Sequence, residues 1–272
     1  MNDLILCHSI RKIRHGGFWI MFNDWFSIGP FTVHGYGVMI AIGILVGFYI
    51  AEKLADKNGL SKEHVDNLVF TVLITGYLVS KLTYVLVNFS AFLKDPMAVL
   101  GSSGWVVMGG LIGGVLGAYG YCKIKKIDFF AYFNLFMPEV ALAQAFGRIG
   151  CFFAGCCYGL ETDSKLSLVF PKGSLAPSGV HLIPTQLISS FGDFVLFVIL
   201  YKIYTNDETK KETSAWYIIL YSVGRFLVEF LRGDIERGSI GVLSTSQFLS
   251  VITLIIGIIY LIKIKTKKGE SK

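Results

Sequence analysis

The feature that most constrains this chain is a series of apolar runs, each close to the thickness of a bilayer's hydrocarbon core. A helix needs about 20 mostly apolar residues to cross that core. Only helices and closed barrels satisfy their own backbone polar groups there. Seven runs qualify, at about 33–51, 68–89, 105–122, 129–153, 186–204, 215–231 and 248–264. Charged residues make up only 16% of the 272 positions, against ~25% in soluble domains. The expected fold class is therefore all-α: a polytopic membrane protein with seven transmembrane helices, no internal repeat and no separate soluble domain.

Lysine and arginine orient the chain. Fourteen lysines fall in the 1–2, 3–4 and 5–6 connections and the C-terminus, against eight lysines and arginines on the opposite side. Positive charge accumulates in cytoplasmic loops, so the N-terminus is expected outside and the C-terminus in the cytoplasm. The long loop 158–184 and the ends of spans 4 and 6 then face outward. The same bias accounts for the net charge of +6, and no basic arm interleaved with aromatics points to nucleic acid. Residues 1–20 contain Arg11, Lys12, Arg14 and His15 but no apolar core of signal-peptide length. The sequence becomes coherent at Met21. The expectation is a non-native or disordered extension over 1–20 and a single seven-helix domain over 21–272.

Charge within the apolar runs carries the functional signal. Arg148 lies in Gly147-Arg148-Ile149-Gly150-Cys151, near the end of span 4. An arginine at that depth costs roughly 2.5–3.5 kcal/mol on insertion scales. A lipid phosphate, an ion path or a buried carboxylate would each compensate it. Tyr221, Arg225, Glu229 and Arg232 recur at i, i+4, i+8 and i+11, one helix stripe that must face the bundle interior. Glu229 and Glu139 are the candidate partners for the two arginines, and a purely structural Arg225–Glu229 pair is the alternative reading. Two guanidiniums in a dry site suit a phosphate, which they grip in a forked, charge-assisted geometry. Pre-placed positive charge also favours breaking a carbon–oxygen bond to phosphate. In a membrane this describes a lipid-headgroup transferase.

Other features have blander readings. Tyr36, in His34-Gly35-Tyr36-Gly37, fits an interfacial anchor as well as a site residue. Gly109, Gly113 and Gly117, with Gly110 and Gly114, follow the small-xxx-small spacing of tight helix packing. They lack the Gly-Lys-Ser/Thr ending of a phosphate loop. Cys151, Cys156 and Cys157 are read as packing residues. On a continuous helix, positions five and six apart fall on different faces, and no histidine is near. Neither a metal nor a cofactor is expected.

Taken in order, Phe26-Ser27-Ile28-Gly29-Pro30, His34-Gly35-Tyr36-Gly37, Gly109-Gly110-Leu111-Ile112-Gly113, Gly147-Arg148-Ile149-Gly150, Pro184-Thr185-Gln186-Leu187, Gly224-Arg225, Val228-Glu229-Phe230 and Ser246-Gln247 resemble the prolipoprotein diacylglyceryl transferase family. The resemblance spans nearly the whole chain from Met21. It implies a multi-pass protein of the bacterial cytoplasmic membrane that moves diacylglycerol from phosphatidylglycerol to the lipobox cysteine of a prolipoprotein signal peptide. The products are a thioether and glycerol phosphate. Arg148 would hold the headgroup, Arg225 would act on the phosphate or the reacting centre, Tyr36 and Tyr221 would line the site, and Glu229 would orient an arginine. Gly109, Gly110, Arg232 and Gln186 would join the substrate-binding set. The chain departs from the family pattern at Met108 and Ile183, where histidine is usual, so the thiol needs another proton acceptor. His181 is the candidate, with Arg225 or Tyr221 assisting. A thiol, with a pKa near ~8.5, also ionises readily beside guanidinium charge. Two further readings are a diverged phospholipid-binding paralogue, acting on another acceptor or without catalysis, and an anion transporter.

Overall fold

A computed structural model describes residues 23–29, 31–102, 104–234 and 238–270. The expected extension at 1–20 lies outside the described residues. A hairpin of β1 (Asp24–Ile28) and β2 (Phe31–His34) opens the described chain and leads directly into α1 (Gly35–Lys57). Then come α2 (Lys62–Val87), two short helices α3 (Phe89–Lys94) and α4 (Pro96–Gly101), α5 (Val107–Lys125) and α6 (Phe129–Ala154). The loop after α6 holds the small β3 (Leu168–Val169) and β4 (His181–Leu182) pair. Beyond it lie α7 (Thr185–Thr205), α8 (Thr213–Glu229), the β5 (Ser239–Ile240) and β6 (Leu243–Ser244) pair, and α9 (Thr245–Glu270).

A long helix covers each of the seven expected runs. Five of them, α1, α2, α5, α7 and α9, are long and apolar enough to cross a membrane. The others differ for visible reasons: α6 carries Pro138, Glu139 and Arg148, and α8 has only 17 residues. The first expected run began at Val33. The structure instead puts Val33 in β2 and starts the helix at Gly35, where the hairpin fits Trp25 against a residue lacking a Cβ. Among the described residues, three two-stranded pairs thus lie at or between helix ends.

Helix pairing follows the glycines. Along α5, a Cβ on Gly109, Gly113 or Gly117 would collide with Thr83, Val79 or Thr75 of α2, so the small-residue stripe is the α2–α5 seam. Gly43 and Gly47 do the same for α1 against Phe146 and Glu139 of α6. Lys81, buried in an apolar run by sequence, reaches the end of its helix. Its ammonium donates to the Ser102 carbonyl at 2.7 Å and lies 4.7 Å from the centre of the Trp105 ring. A core of Leu54, Val65, Leu68, Tyr132 and Leu135 fills the end of the bundle where the α1–α2 turn meets α6. At the opposite end, Phe152 at the close of α6 packs under Phe170 and Leu182 of the long loop. The charged site lies towards this second end.

Candidate functional site

A cavity of about 220 Å³ opens between α6, α7 and α8, lined by Arg148, Asp193, Tyr221 and Arg225 among apolar residues. Its apolar wall comes from Ile188, Val195, Leu196 and Ile199 on α7 and from Leu220 and Val228 on α8. The two arginines sit on different helices and open on the same space, as the sequence suggested. Their partners differ. Arg225 Nη1 stands 2.7 Å from Glu229 Oε2, one turn along α8, and its Nη2 donates to Ser246 Oγ of α9 at 2.9 Å. Ser244 in turn donates to Glu229 Oε1 at 2.9 Å. Although 2.7 Å from Glu229 Oε2, the buried Nη1 makes no aligned hydrogen bond among the described residues.

The partner of Arg148 is Asp193 of α7, with Nε 3.9 Å from Oδ2. This corrects the sequence reading, which offered Glu139 for that role. Glu139 is buried behind Gly47, and neither of its carboxylate oxygens has a partner among the described residues. A gap of 3.9 Å exceeds hydrogen-bond length, and the Arg148 side chain makes no protein hydrogen bond among the described residues. The missed signal was available, since Asp193 is the single acidic residue of its apolar run. Tyr221 lines the cavity with its ring stacked on Tyr217, which donates to Gln144 of α6 at 3.0 Å.

Two guanidiniums that line one largely apolar cavity within a helical membrane body suit an anionic lipid headgroup. Residues 23–263 match the model of the family described as prolipoprotein diacylglyceryl transferase. The chain belongs to that family. A phosphatidylglycerol–prolipoprotein diacylglyceryl transferase of Clostridium tetani is 43% identical over 86% of this chain and 94% of its own length. Two such transferases of Clostridium perfringens are 41% identical over 88% of this chain and 94% of their chain, and 35% identical over 91% and 95%.

Within this diacylglyceryl transferase family member, the remaining candidates fall into three places. Tyr36, in the first turn of α1, lies over Gly150, where a Cβ would stand 3.0 Å from its carbonyl oxygen. It is 41% exposed and within electrostatic range of Arg148 and the three cysteines, so it flanks the site. Gly109 and Gly110 belong to the α2–α5 seam, away from the cavity lining. His181 is exposed in the β3–β4 pair, its Nδ1 2.9 Å from Ser167 Oγ, and does not line the cavity.

Arg232 and Gln186 take positions the sequence pattern missed. The expected helical stripe ends with α8 at Glu229, so Arg232 lies beyond the helix. It bridges to Gly159 of the long loop and donates through Nε and Nη2 to both carboxylate oxygens of Asp234, at 3.0 and 2.6 Å. Gln186 is buried and donates to the Cys156 carbonyl at 2.7 Å, which ties the start of α7 to the end of α6.

The expectation about the cysteines also needs correction. The argument from helix faces assumed a continuous helix, but α6 ends at Ala154 and Gly155 adopts a left-handed conformation with φ of 72°. The chain doubles back, with Cys156 N–H bonded to the Cys151 carbonyl at 3.2 Å. The sulfurs of Cys151, Cys156 and Cys157 consequently lie within 4.8 Å of one another, all half-buried.

Proposed function

We propose that this protein is a phosphatidylglycerol–prolipoprotein diacylglyceryl transferase of the bacterial cytoplasmic membrane. It would span the membrane seven times, with its N-terminus outside, its C-terminus in the cytoplasm and loop 158–184 facing outward. The single observation that carries the reading is the convergence of Arg148 and Arg225 on one cavity with a largely aliphatic wall from α7 and α8. The aliphatic walls accept acyl chains, and the guanidiniums accept the phosphate.

The chemistry follows from that placement. The lipobox cysteine, having lost its thiol proton to solvent, attacks as a thiolate the carbon of the diacylated glycerol that bears the phosphate ester. A carbon–sulfur bond forms, the carbon–oxygen bond breaks, and the electron pair leaves with the phosphate oxygen as glycerol phosphate. Negative charge grows on that oxygen in the transition state. Arg148 holds the headgroup there, and Arg225, fixed by Glu229 and Ser246, supplies charge that needs no reorganisation. Tyr221 and Tyr36 border the reacting groups from α8 and α1. Asp193 keeps Arg148 oriented while leaving its hydrogen-bonding capacity for the lipid.

The test uses full-length protein in phosphatidylglycerol vesicles with a lipobox peptide. The expected product is a peptide heavier by one diacylglyceryl group, together with free glycerol phosphate. Absence of both from well-folded protein, with restoration of a transferase-depleted strain also failing, would sink the reading.

A further inference from the structure

We propose that Cys151, Cys156 and Cys157 form a three-thiolate zinc site whose fourth position takes the sulfur of the acceptor cysteine. The proposal rests on the transferase reading for its acceptor, and on the geometry of the α6 terminus for its metal. Tetrahedral zinc with Zn–S bonds of about 2.3 Å separates its sulfurs by about 3.8 Å. The three thiols already lie within 4.8 Å, so small side-chain rotations close the site. Three protein ligands and one open position are the arrangement of catalytic rather than structural zinc.

The backbone around the cluster is held as a ligand loop requires. Thr185 Oγ1 donates to the Cys157 carbonyl and Gln186 Nε2 to the Cys156 carbonyl, each at 2.7 Å. Cys157 has φ of 63°, a conformation disfavoured for a residue with a side chain. Such strain persists where the surroundings over-determine it, and it gathers at functional sites. Here it turns the third sulfur towards the other two.

Placement supplies the functional half of the argument. Cys151 follows Arg148 by three residues, one helical turn on the same face. Cys151 and Cys157 lie within electrostatic range of the Arg148 guanidinium, so a sulfur held at the cluster would approach the ester from the side of Arg148, just outside the cavity lining. The reaction needs the acceptor sulfur as a thiolate, yet no histidine lines the cavity. The described histidines are engaged elsewhere: His34 with Asp24, His64 with Tyr121 and His181 with Ser167. A thiol coordinated to zinc is deprotonated by the metal itself. On binding, the acceptor loses its proton to solvent. The zinc-bound sulfur then forms the carbon–sulfur bond while glycerol phosphate departs, and the neutral thioether is a weak ligand that leaves. Zinc remains divalent throughout.

The test has two independent readouts on the purified full-length chain. Metal analysis should find about one zinc per chain, lost in Cys151→Ser and separately in Cys156→Ser. Cobalt(II) loaded in place of zinc should give a sulfur-to-metal charge-transfer band. That band should strengthen when a lipobox peptide is added, and stay unchanged with a peptide carrying serine for its cysteine. Stripping the metal should lower diacylglyceryl transfer roughly 100-fold, the scale of a lost acid–base function, and zinc should restore it. Full transfer by metal-free protein, an unaltered cobalt band with the cysteine peptide, or a native disulfide between two of the three cysteines would each overturn the proposal. Should one serine variant misfold, the other variant and the peptide response of the unaltered protein still decide it. If zinc binds and the peptide thiol coordinates but no lipid is transferred, the metal site stands and the transferase reading falls.

Discussion

The two arginines of the cavity are held in contrasting ways. Arg225 is locked by a 2.7 Å ion pair within its own helix and a hydrogen bond that it donates to Ser246 of a neighbouring one, and its carboxylate partner is itself held by Ser244. Arg148 faces its carboxylate across 3.9 Å and a helix–helix interface, with its side chain 21% exposed. A buried charge gains from its partner only when the geometry repays desolvation. The first arrangement is built to stay as it is. The second leaves a charge incompletely compensated until an anion arrives. On the proposed function, the contrast divides the tasks: Arg225 would be the fixed electrostatic wall and Arg148 the group that awaits the headgroup.

The sharpest way to break this contrast is Arg148→Ala. Transfer should fall by roughly 10²–10³-fold, the loss seen when one pre-placed donor is removed from a site of developing charge. Membrane levels of the protein should change little. Activity near the unaltered level in the vesicle assay would refute the headgroup role. Next comes stability. Glu229→Gln leaves Arg225 buried without its counter-charge, a change that costs about 3–5 kcal/mol in comparable pairs. Asp193→Asn should cost clearly less, because the 3.9 Å pair contributes less to begin with. Thermal unfolding in detergent ranks the two, and the reverse order would contradict the contrast.

A smaller effect is expected far from both arginines. Gly113→Ala presses a methyl group onto Val79 and Thr75 across the α2–α5 seam. Overpacking of this kind costs roughly 1–3 kcal/mol. Unfolding temperature should drop while the lipid dependence of the remaining transfer rate is preserved. The smallest effect belongs to an ion pair outside the membrane body, Asp207–Lys210. Hydrogen bonding and charge from Lys210 hold the exposed Asp207 carboxyl below its ordinary pKa. Any stabilisation from it is present above the ordinary carboxylate pKa and fades as pH falls through the depressed one. Unfolding curves of Lys210→Ala and the unaltered protein should coincide near neutral pH, since exposed pairs contribute little.

Much of this architecture was legible before any coordinates. Apolar run length located the seven helices, and four-residue glycine spacing marked the packing face of α5 without naming α2 as its partner. Both depend on local periodicity, which a single sequence carries in full. Arg148 and Arg225 stood out because lipid tolerates few charges. What escaped depended on where helices stop and which helices meet. Arg232 looked like the fourth member of a stripe, but the helix ends three residues earlier. The cysteines looked scattered around a cylinder that Gly155 in fact terminates. Asp193 was visible as a lone acid, but its pairing with a residue 45 positions away is a tertiary event. The strand pairs are two to five residues long, too short to leave a periodic signature.

The cavity wall from Ile188 to Ile199 has one more consequence. Eleven residues of helix rise roughly 16 Å, about half of a hydrocarbon core ~30 Å thick. The wall is thus about as long as one leaflet is thick. On the proposed function, a lipid lying along it would keep its ester at the arginines and its tails within that one leaflet, so supply of the lipid and release of the modified product would share a leaflet.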